Sequence, residues 1–251
     1  MRVDFDKMAE VFDATRSQDP RLLDSVALGI SAIAGEGERV LDIGTGTGRF
    51  LAPLAKVGID AYGLDISKNM LCKARAKGLM NLVQGDATSL PFSDCAFKAS
   101  LVTSVLHLVS RWKDLMLEAS RVSERAVIAV DDGRGEENPM EAFKSIMKEK
   151  GLTPPRAGPL ESELAKCCDP ECRIRLGEYE ERLMKEKILS NFRMRTYTFQ
   201  LNLTDEENRQ CMEEFGRRYA EEIIIHRNVT LIVWNPVRLR ERIPDITFDY
   251  P

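Results

Sequence analysis

Several signals that mark particular classes of protein are weak or missing in this 251-residue sequence. The longest stretch without Asp, Glu, Lys or Arg is the twelve residues 99–110, well short of the roughly 20 that a membrane-spanning helix needs. The first twenty residues carry eight charges and no apolar segment, so they do not resemble a secretory signal peptide. Six cysteines are ordinary usage for a reduced protein and not a disulfide scaffold. We therefore expect a cytoplasmic protein without a membrane partner.

An excess of positive charge is missing as well. The chain has 36 Lys and Arg against 40 Asp and Glu, a net charge of −4, and the deficit is shared evenly by the two halves. Nucleic-acid binding that ignores sequence needs a clustered positive field. We therefore expect no nucleic-acid partner. Composition leaves the oligomeric state open.

The apolar pattern up to residue 151 predicts strands that alternate with helices. The predicted strands lie at 39–44, 59–66, 82–87, 99–106 and 126–130, and the predicted helices at 5–15, 20–34, 49–57, 68–77, 111–122 and 138–150. This alternation is typical of βαβ units, in which helices cover both faces of a parallel sheet.

The rhythm changes after Gly151. The pattern there predicts charged helices at 160–168 and 176–189, strands at 192–201 and 222–234, and between these strands a helix that begins with a capping box at 204–207. The fold prediction is therefore α/β: a doubly wound, mostly parallel, seven-stranded sheet with helical additions. We expect a single domain made of four parts, which are N-terminal helices (1–35), an α/β core (36–151), a helical insertion (152–222), and a last strand and tail (223–251).

A glycine-rich segment follows the first predicted strand. In Val40-Leu-Asp-Ile-Gly-Thr-Gly-Thr-Gly48, three glycines at a spacing of two stand between a strand and a helix. Glycines there allow a tight turn and a close approach of a ligand to the backbone, and the helix N-terminus behind them favours an anion. A plain strand-to-helix turn is the alternative. The dinucleotide pattern G-x-G-x-x-G needs a glycine where this chain has Arg49, so the segment argues against NAD.

Three acidic residues lie at the ends of the first three predicted strands. Asp42 precedes the first glycine, Asp65 ends the second strand, and Asp86 ends the third within Gly85-Asp86-Ala87. The end of the second strand is where an acid holds ribose hydroxyls in folds of this class. Helix capping or a turn explains Asp65 or Asp86 taken singly. Together the three carboxylates predict a ligand that contains adenosine and a positive centre.

These motifs resemble class I S-adenosylmethionine-dependent methyltransferases of the small-molecule subgroup called type 11. The resemblance rests on 40–48, on Gly63-Leu-Asp-Ile-Ser67, on Gly85-Asp-Ala-Thr-Ser-Leu-Pro-Phe92 and on Leu101-Val-Thr-Ser-Val-Leu-His107. The segment 5–13 is similar to the N-terminal lid of that family, which usually has tyrosines in place of Phe5 and Phe12. The resemblance covers 5–16 and 39–133 and says little about 152–222. It implies a Rossmann-like fold in which 1–35 are lid helices and 36–151 are the cofactor-binding core, and we expect the insertion 152–222 to cap the substrate.

The resemblance implies S-adenosylmethionine as cofactor, a small-molecule substrate and a role for each matched residue. Around the methionine part of the cofactor it places Gly44, Thr45 and Gly46, with Phe12 and Arg16 closing the lid. The carboxylate of Asp42 beside them suits either the cationic part of the cofactor or the organisation of the glycine loop. Around the ribose and adenine the resemblance places Asp65, Ile66, Met70, Gly85, Asp86 and Ala87, although Met70 also fits a core position. Thr103 and Ser104 would line the floor near the sulfonium.

The implied reaction is an in-line displacement at an activated methyl group. It needs a general base only if the acceptor must first lose a proton. His107, at the end of the fourth predicted strand, is the best-placed candidate, and an ordinary core or surface imidazole is the alternative. Cys167, Cys168 and Cys172 could bind a soft metal, but a fourth clustered ligand is missing, so we predict no metal site.

Two alternatives to a small-molecule methyltransferase stay open at this point. One is a sensor or scaffold that binds the cofactor without catalysis, since the acidic residues report binding and not transfer. The other is a methyltransferase that acts on RNA or protein, which the even charge distribution makes less favoured.

Overall fold

The fold was analysed in a computed structural model of the chain, which describes residues 12–13, 19–131, 133 and 138–248. Arg16 and most of the helix predicted at 5–15 lie outside the described residues.

Strands and helices alternate along the first half of the described chain, as predicted. In chain order these elements are α1 (Pro20–Ala34), β1 (Arg39–Ile43), α2 (Leu51–Lys56), β2 (Asp60–Asp65), α3 (Lys68–Ala76), β3 (Leu82–Gln84), β4 (Phe97–Val102), α4 (Trp112–Val122), β5 (Ser123–Asp131) and α5 (Pro139–Glu149). The second half contains α6 (Glu161–Cys167), β6 (Cys172–Met184), α7 (Lys185–Arg193), α8 (Asp205–Arg218), β7 (Glu222–Trp234) and α9 (Pro236–Arg242). Short 3₁₀ turns lie at Leu106–Leu108, Thr198–Gln200 and Ile243–Asp245.

The strands form one seven-stranded sheet in the order β3-β2-β1-β4-β5-β7-β6. The pairs among β1 to β5 are all parallel, whereas β7 is antiparallel to both β5 and β6. The prediction of a mostly parallel, seven-stranded Rossmann-like sheet is confirmed. Its carboxyl edge, where β1, β2 and β4 end together, is the place where open α/β sheets bind ligands.

Helices cover both faces of this sheet. Successive side chains of its central strands are therefore buried in two different cores. Leu41, Ile43 and Val127 point to a core shared with α4, α6 and α9. Val40, Leu101 and Ile128 point to the opposite core, shared with α1 and α2. The strands are thus buried on both sides, as parallel strands are when helices cover both faces of the sheet.

The helix α1 packs on one face of the sheet and is not part of a lid. The interpretation of 1–35 as lid helices is therefore wrong for residues 20–34. Asp19 caps its first turn by accepting from Arg21 N at 2.9 Å, and Gly35 follows its last residue with φ +104°. Its apolar face, with Val26 and Ile30 fully buried, packs on the sheet core. An amphipathic helix of this kind is stabilised mainly by that burial.

Two element predictions after Gly151 are wrong. The pattern predicts a helix at 176–189, but 172–184 form the edge strand β6, so the insertion at 152–222 is not wholly helical. Pairing of twelve residues with β7 outweighs the helix propensity of its Glu, Arg and Leu residues. The charges suit an edge strand, since they discourage pairing with other chains.

The strand predicted at 192–201 is instead the end of α7 followed by a turn. Arg195 has φ +51°, which redirects the backbone before the 3₁₀ turn at Thr198–Gln200. Because of this turn, Phe192, Tyr197 and Phe199 all point into one core. Their spacing imitates the alternation of a strand.

A separate hydrophobic cluster, which we call the cap, lies past the carboxyl edge of the sheet. It consists of α5, α7, the turn 198–200, α8 and the first residues of β7. Its centre is a set of rings in which Phe192 lies 4.3 Å from Phe143 and 5.3 Å from Phe215 between centroids.

The register of β7 against β5 shows where the cap lies relative to the sheet. Asp131, the last residue of β5, pairs with Thr230, and β7 runs antiparallel to β5. The first half of β7 therefore extends beyond the end of β5 and pairs there with β6. The cap is thus on the side of the sheet where a ligand would bind.

No helix in the ranges given above is both long enough and apolar enough to cross a membrane.

Candidate functional site

The glycine segment forms a tight loop over the end of β2. Leu64 O accepts from Gly44 N at 2.8 Å and from Thr45 N at 3.0 Å, which ties the loop to the neighbouring strand. Gly44 has φ +76°, and a Cβ on it would lie 2.7 Å from Val105 Cγ2. Only glycine satisfies both the backbone angle and this close packing. The loop is therefore positioned against the chain that follows β4.

Asp65 links this glycine loop to the start of α3. Its Oδ2 accepts from Gly46 N at 2.8 Å, and its Oδ1 accepts from Ser67 N at 2.8 Å. Ser67 in turn caps α3 by accepting from Met70 N. A carboxylate can accept about four hydrogen bonds, so the group that organises the loop can also bind hydroxyls of a ligand.

Asp42 is buried beneath the loop with 3% of its surface exposed. Burial raises the pKa of Asp42 to about 6, although the hydrogen bond from Thr45 Oγ1 and the charge of Arg49 act in the opposite direction. The Thr45 hydroxyl donates to Asp42 Oδ2 at 2.7 Å. Of the two roles considered for Asp42, organisation of the glycine loop is the one visible in these contacts.

Asp86 lies at the same edge after β3 and forms a turn. Its Oδ1 accepts from Thr88 N and from Thr88 Oγ1, both at 2.8 Å. Gly85 N donates to Asp65 O at 3.1 Å, which keeps the segment Gly85–Ala87 beside the end of β2. Next to it, the apolar side chain of Ile66 is 47% exposed. The sheet thus brings the predicted adenosine-binding residues together.

The segment after β4 holds the predicted floor and the candidate base. Thr103 Oγ1 accepts from Val130 N at 3.1 Å, which joins this segment to β5. Ser104 is exposed and has φ +57°, a strained angle for a residue with a Cβ. His107 is half-buried in the 3₁₀ turn after β4 and not on the strand itself.

A contact between the N-terminal segment and the glycine loop is not evident from the sequence. Asp13 Oδ1 accepts from Thr47 Oγ1 at 2.6 Å, and Asp13 pairs with Lys77 at 2.7 Å. Burial opposes ionisation of Asp13, but hydrogen bonds from Lys77 and Thr47 outweigh it and lower its pKa. Phe12 Cε1 lies 3.9 Å from the position of a Cβ on Gly46. Phe12 is therefore near the loop, as the lid resemblance implies.

A second residue that the sequence does not reveal is Glu161, at the start of α6. It is 8% exposed, and its Oε1 accepts from Val105 N at 3.2 Å. Burial raises the pKa of Glu161, while backbone N–H groups, including those of Val105, Leu106 and Ser104, act to lower it. The residue lies 56 positions from its partner, so no local pattern could have indicated the contact.

Met70 and the cysteine cluster at 167–172 are also candidates from the sequence. Met70 is 2% exposed, so its side chain is part of the core and offers little surface to a ligand. Cys168 is buried, whereas Cys167 and Cys172 are exposed. Among the described residues no three His, Cys, Asp or Glu side chains are grouped so that they could hold a metal ion.

The residues at this edge fit S-adenosylmethionine. Among the described residues, Phe12 Cε1 at 3.9 Å is the only atom within 4 Å of a Cβ placed on Gly46. Beside it are a carboxylate suited to ribose hydroxyls, Asp65, and an exposed apolar side chain suited to a flat ring, Ile66. Arg49 remains unsuited to the dinucleotide pattern, which argues for an adenosyl ligand without a pyrophosphate.

Comparison with known proteins agrees with this geometry. A family model described as a methyltransferase domain matches residues 41–129. The demethylmenaquinone methyltransferase of Renibacterium salmoninarum is 34% identical over 126 residues, which are 48% of this chain and 52% of that protein. The chain thus spans about half the length of the curated relatives that it matches.

Two solved structures share the fold. A protein from Bacillus halodurans C-125, provisionally described as a methyltransferase, is 20% identical with a TM-score of 0.55, over 84% of this chain and 96% of that one. The YcgJ protein of Bacillus subtilis is 19% identical with a TM-score of 0.53, over 84% and 98%. Residues 41–129 of this chain therefore match a methyltransferase domain, and the chain around them shares the fold of these two solved structures.

Proposed function

We propose that the protein transfers the methyl group of S-adenosylmethionine to a small-molecule acceptor. The observation that carries this proposal is the junction of the glycine loop with Asp65, whose carboxylate accepts from Gly46 N and Ser67 N at the carboxyl edge. This junction lies within the matched methyltransferase domain. It supplies an open backbone turn and an oriented acid at the two places where an adenosyl ligand needs them.

Each part of the edge has a role in this proposal. The loop Gly44–Gly46 and Asp42 beneath it bind the methionine part, and Asp65 binds the ribose. Ile66, Asp86 and Ala87 surround the adenine, with Gly85 keeping their backbone next to β2. Thr103 and Ser104 form the floor. Phe12 covers the glycine loop at Gly46. Arg16, which lies outside the described residues, is proposed to bind the cofactor next to Phe12.

The protein's contribution to the reaction is alignment and exclusion of water. The bound cofactor supplies an activated methyl group on a sulfonium, so the difficult chemistry does not fall to a side chain. Holding the acceptor atom in line with that methyl can lower the barrier by about 7–11 kcal/mol. His107 is proposed as general base, for acceptors that must lose a proton, because it lies three residues beyond Ser104 in the segment that forms the floor.

The acceptor is proposed to bind between the carboxyl edge and the cap. The cap lies past the end of β5, and its apolar centre gives it a fixed shape. The four-part division of the chain remains our proposal with the two changes noted above, that α1 covers the sheet and that β6 belongs to it. The curated relative acts on demethylmenaquinone by its name, but the match covers half of each chain. We therefore propose the small-molecule class and no individual acceptor.

Transfer of a labelled methyl group tests this proposal. The protein is incubated with methyl-labelled S-adenosylmethionine and, separately, with the small-molecule, RNA and protein fractions of a cell extract. We expect label in the small-molecule fraction. Label in RNA or protein would contradict the acceptor class, and binding without transfer to any fraction would indicate a sensor.

A matched pair of variants compares the loss of a charge in the proposed site with the loss of a charge elsewhere on β2. Asp65→Asn removes the charge at the carboxyl end of the strand, and Asp60→Asn removes one at its exposed beginning, where Asp60 Oδ1 accepts from Asn81 Nδ2 at 3.1 Å. We expect Asp65→Asn to lose most of the transfer and Asp60→Asn to retain it. Equal activity of the two variants would remove Asp65 from the site.

A further inference from the structure

The start of α6 is attached to the segment that follows β4, although the two lie far apart in the sequence. Val105 N donates to Glu161 Oε1 at 3.2 Å, and N–H groups of Ser104 and Leu106 act on the same carboxylate. The contact is buried at both ends, since Val105 is 9% exposed and Glu161 is 8% exposed. Glu161 therefore does not serve solubility or a surface ion pair.

The backbone angles at Ser104 and Val105 suit the binding of an anion. Ser104 has φ +57°, and Val105 follows with φ −120° and ψ −33°. Successive residues with left-handed and right-handed helical backbone direct their N–H groups to one point, an arrangement that binds anions. Here the anion is a side chain of the protein itself. The strained angle at Ser104 is thus accounted for by the carboxylate that its neighbours bind.

The same segment touches the proposed cofactor loop. Val105 packs so closely on Gly44 that a Cβ there would lie 2.7 Å from Val105 Cγ2. A further contact holds the segment farther along, where Ala157 N donates to His107 O at 2.9 Å. A shift of Val105 would therefore change the position of both the glycine loop and the floor beside it.

Burying a carboxylate is expensive, and neutral side chains would fill the same space at a lower cost. Such a costly group next to a proposed active site is more typical of function than of stability. Glu163, two residues later in the same turn of α6, pairs with Arg156 and accepts from Leu160 N at 3.1 Å. Glu163 thus stabilises the start of the helix, whereas Glu161 contacts the segment that follows β4.

We propose that Glu161 is a positioning residue for methyl transfer: its carboxylate accepts from Val105 N and thereby fixes the segment Ser104–Leu106, the floor of the cofactor site, against Gly44. This inference rests on the proposed function. It assigns to the region after Gly151 a direct part in shaping the cofactor site, in addition to its proposed part in binding the acceptor.

The test compares Glu161→Gln with Glu163→Gln in the full-length protein. Exchange of the amide hydrogens of residues 104–106 is measured without cofactor, because this readout does not depend on activity. We expect Glu161→Gln to speed their exchange by about tenfold or more, since an amide group replaces the charged acceptor and presents a donor to other donors. Glu163→Gln should leave it unchanged.

Two further measurements separate positioning from general damage. Circular dichroism should show that Glu161→Gln is folded at the assay temperature, although its unfolding midpoint falls because a buried N–H group loses its charged acceptor. Its rate of label transfer to the small-molecule fraction, at saturating methyl-labelled S-adenosylmethionine, should fall by about tenfold or more, as misplaced groups in an active site lower rates by such factors. Unchanged exchange of residues 104–106 or an unchanged transfer rate would overturn the inference.

Binding of S-adenosylhomocysteine to the wild type distinguishes failure of this inference from failure of the proposed function. If the wild type binds it and Glu161→Gln behaves like the wild type, only the role of Glu161 is wrong. If the wild type does not bind it, the proposed function is wrong, and the role of Glu161 in that function is wrong with it.

Discussion

Replacing Asp42 with asparagine should change the pH dependence of stability in a defined window. The pKa of Asp42 is raised from 3.8 to about 6, mainly by burial. A carboxyl group with a raised pKa in the folded state contributes stability that is fully present below pH 4 and is lost as the pH rises through 6. Above this window the folded protein carries a buried charge that the unfolded chain leaves in water.

The size of the effect follows from the two pKa values. A shift of about two pH units corresponds to about 3 kcal/mol over the whole window. Between pH 4.5 and pH 7.5 the wild type should lose about 2 kcal/mol of unfolding free energy through this group. The side-chain amide of the Asp42→Asn variant would carry no charge, and its carbonyl oxygen could still accept the hydrogen bond from Thr45 Oγ1.

Urea denaturation at a series of pH values measures the effect. The difference in unfolding free energy between Asp42→Asn and the wild type should move by about 2 kcal/mol in favour of the variant from pH 4.5 to pH 7.5. Other titrating groups cancel in this difference, and Asp60→Asn, at an exposed site, should show no such change. A difference that stays constant with pH would refute the assignment of a raised pKa to Asp42.

Three other substitutions test the packing of the site. Gly44→Ala should destabilise the protein by about 2 kcal/mol or more in urea denaturation, because it combines φ +76° with a contact of 2.7 Å to Val105, and a loss below about 0.5 kcal/mol would contradict this packing. Ser104→Gly should raise stability by about 0.5–1 kcal/mol, since it removes strain at φ +57°, and a destabilised variant would count against that strain. Lys77→Met should lower the free energy of unfolding by less than about 1 kcal/mol, because the paired side chains of Lys77 and Asp13 are 42% and 49% exposed. A larger loss in urea denaturation would contradict this estimate for an exposed ion pair.

The first half of the fold is predictable because its signals are local. The helix predicted at 20–34 has the same bounds in the structure, since Pro20 and Gly35 mark its ends. The strand and glycine motifs place Asp42, Asp65 and Asp86 at one edge, because the carboxyl ends of parallel strands lie at the same edge of a sheet.

The second half is less predictable because tertiary contacts decide it. Residues 172–184 are rich in Glu and Arg and have no local strand signal, yet they pair with β7 as an edge strand. The turn at Arg195 brings Phe192 and Phe199 into the cap core, although their period-two spacing suggests a strand. Long-range pairing and a single backbone angle are not visible in a local pattern.

The candidate site divides in the same way. Spacing identifies the residues of the glycine loop and the strand ends, but it does not identify Glu161 and Lys77. Glu161 reaches Val105 across 56 positions, and Lys77 reaches Asp13 beside the glycine loop. Met70 fits two interpretations in the sequence, and its burial makes it a core residue. Side chains that support a site from elsewhere in the chain need the fold before they can be recognised.

Titration calorimetry of the wild type with S-adenosylhomocysteine and with NAD tests the central claim most directly. The account predicts one binding site per chain for S-adenosylhomocysteine, binding that is largely lost in Asp65→Asn but retained in Asp60→Asn, and no binding of NAD. Binding of NAD in place of S-adenosylhomocysteine, or affinity for S-adenosylhomocysteine that is indifferent to Asp65, would contradict it.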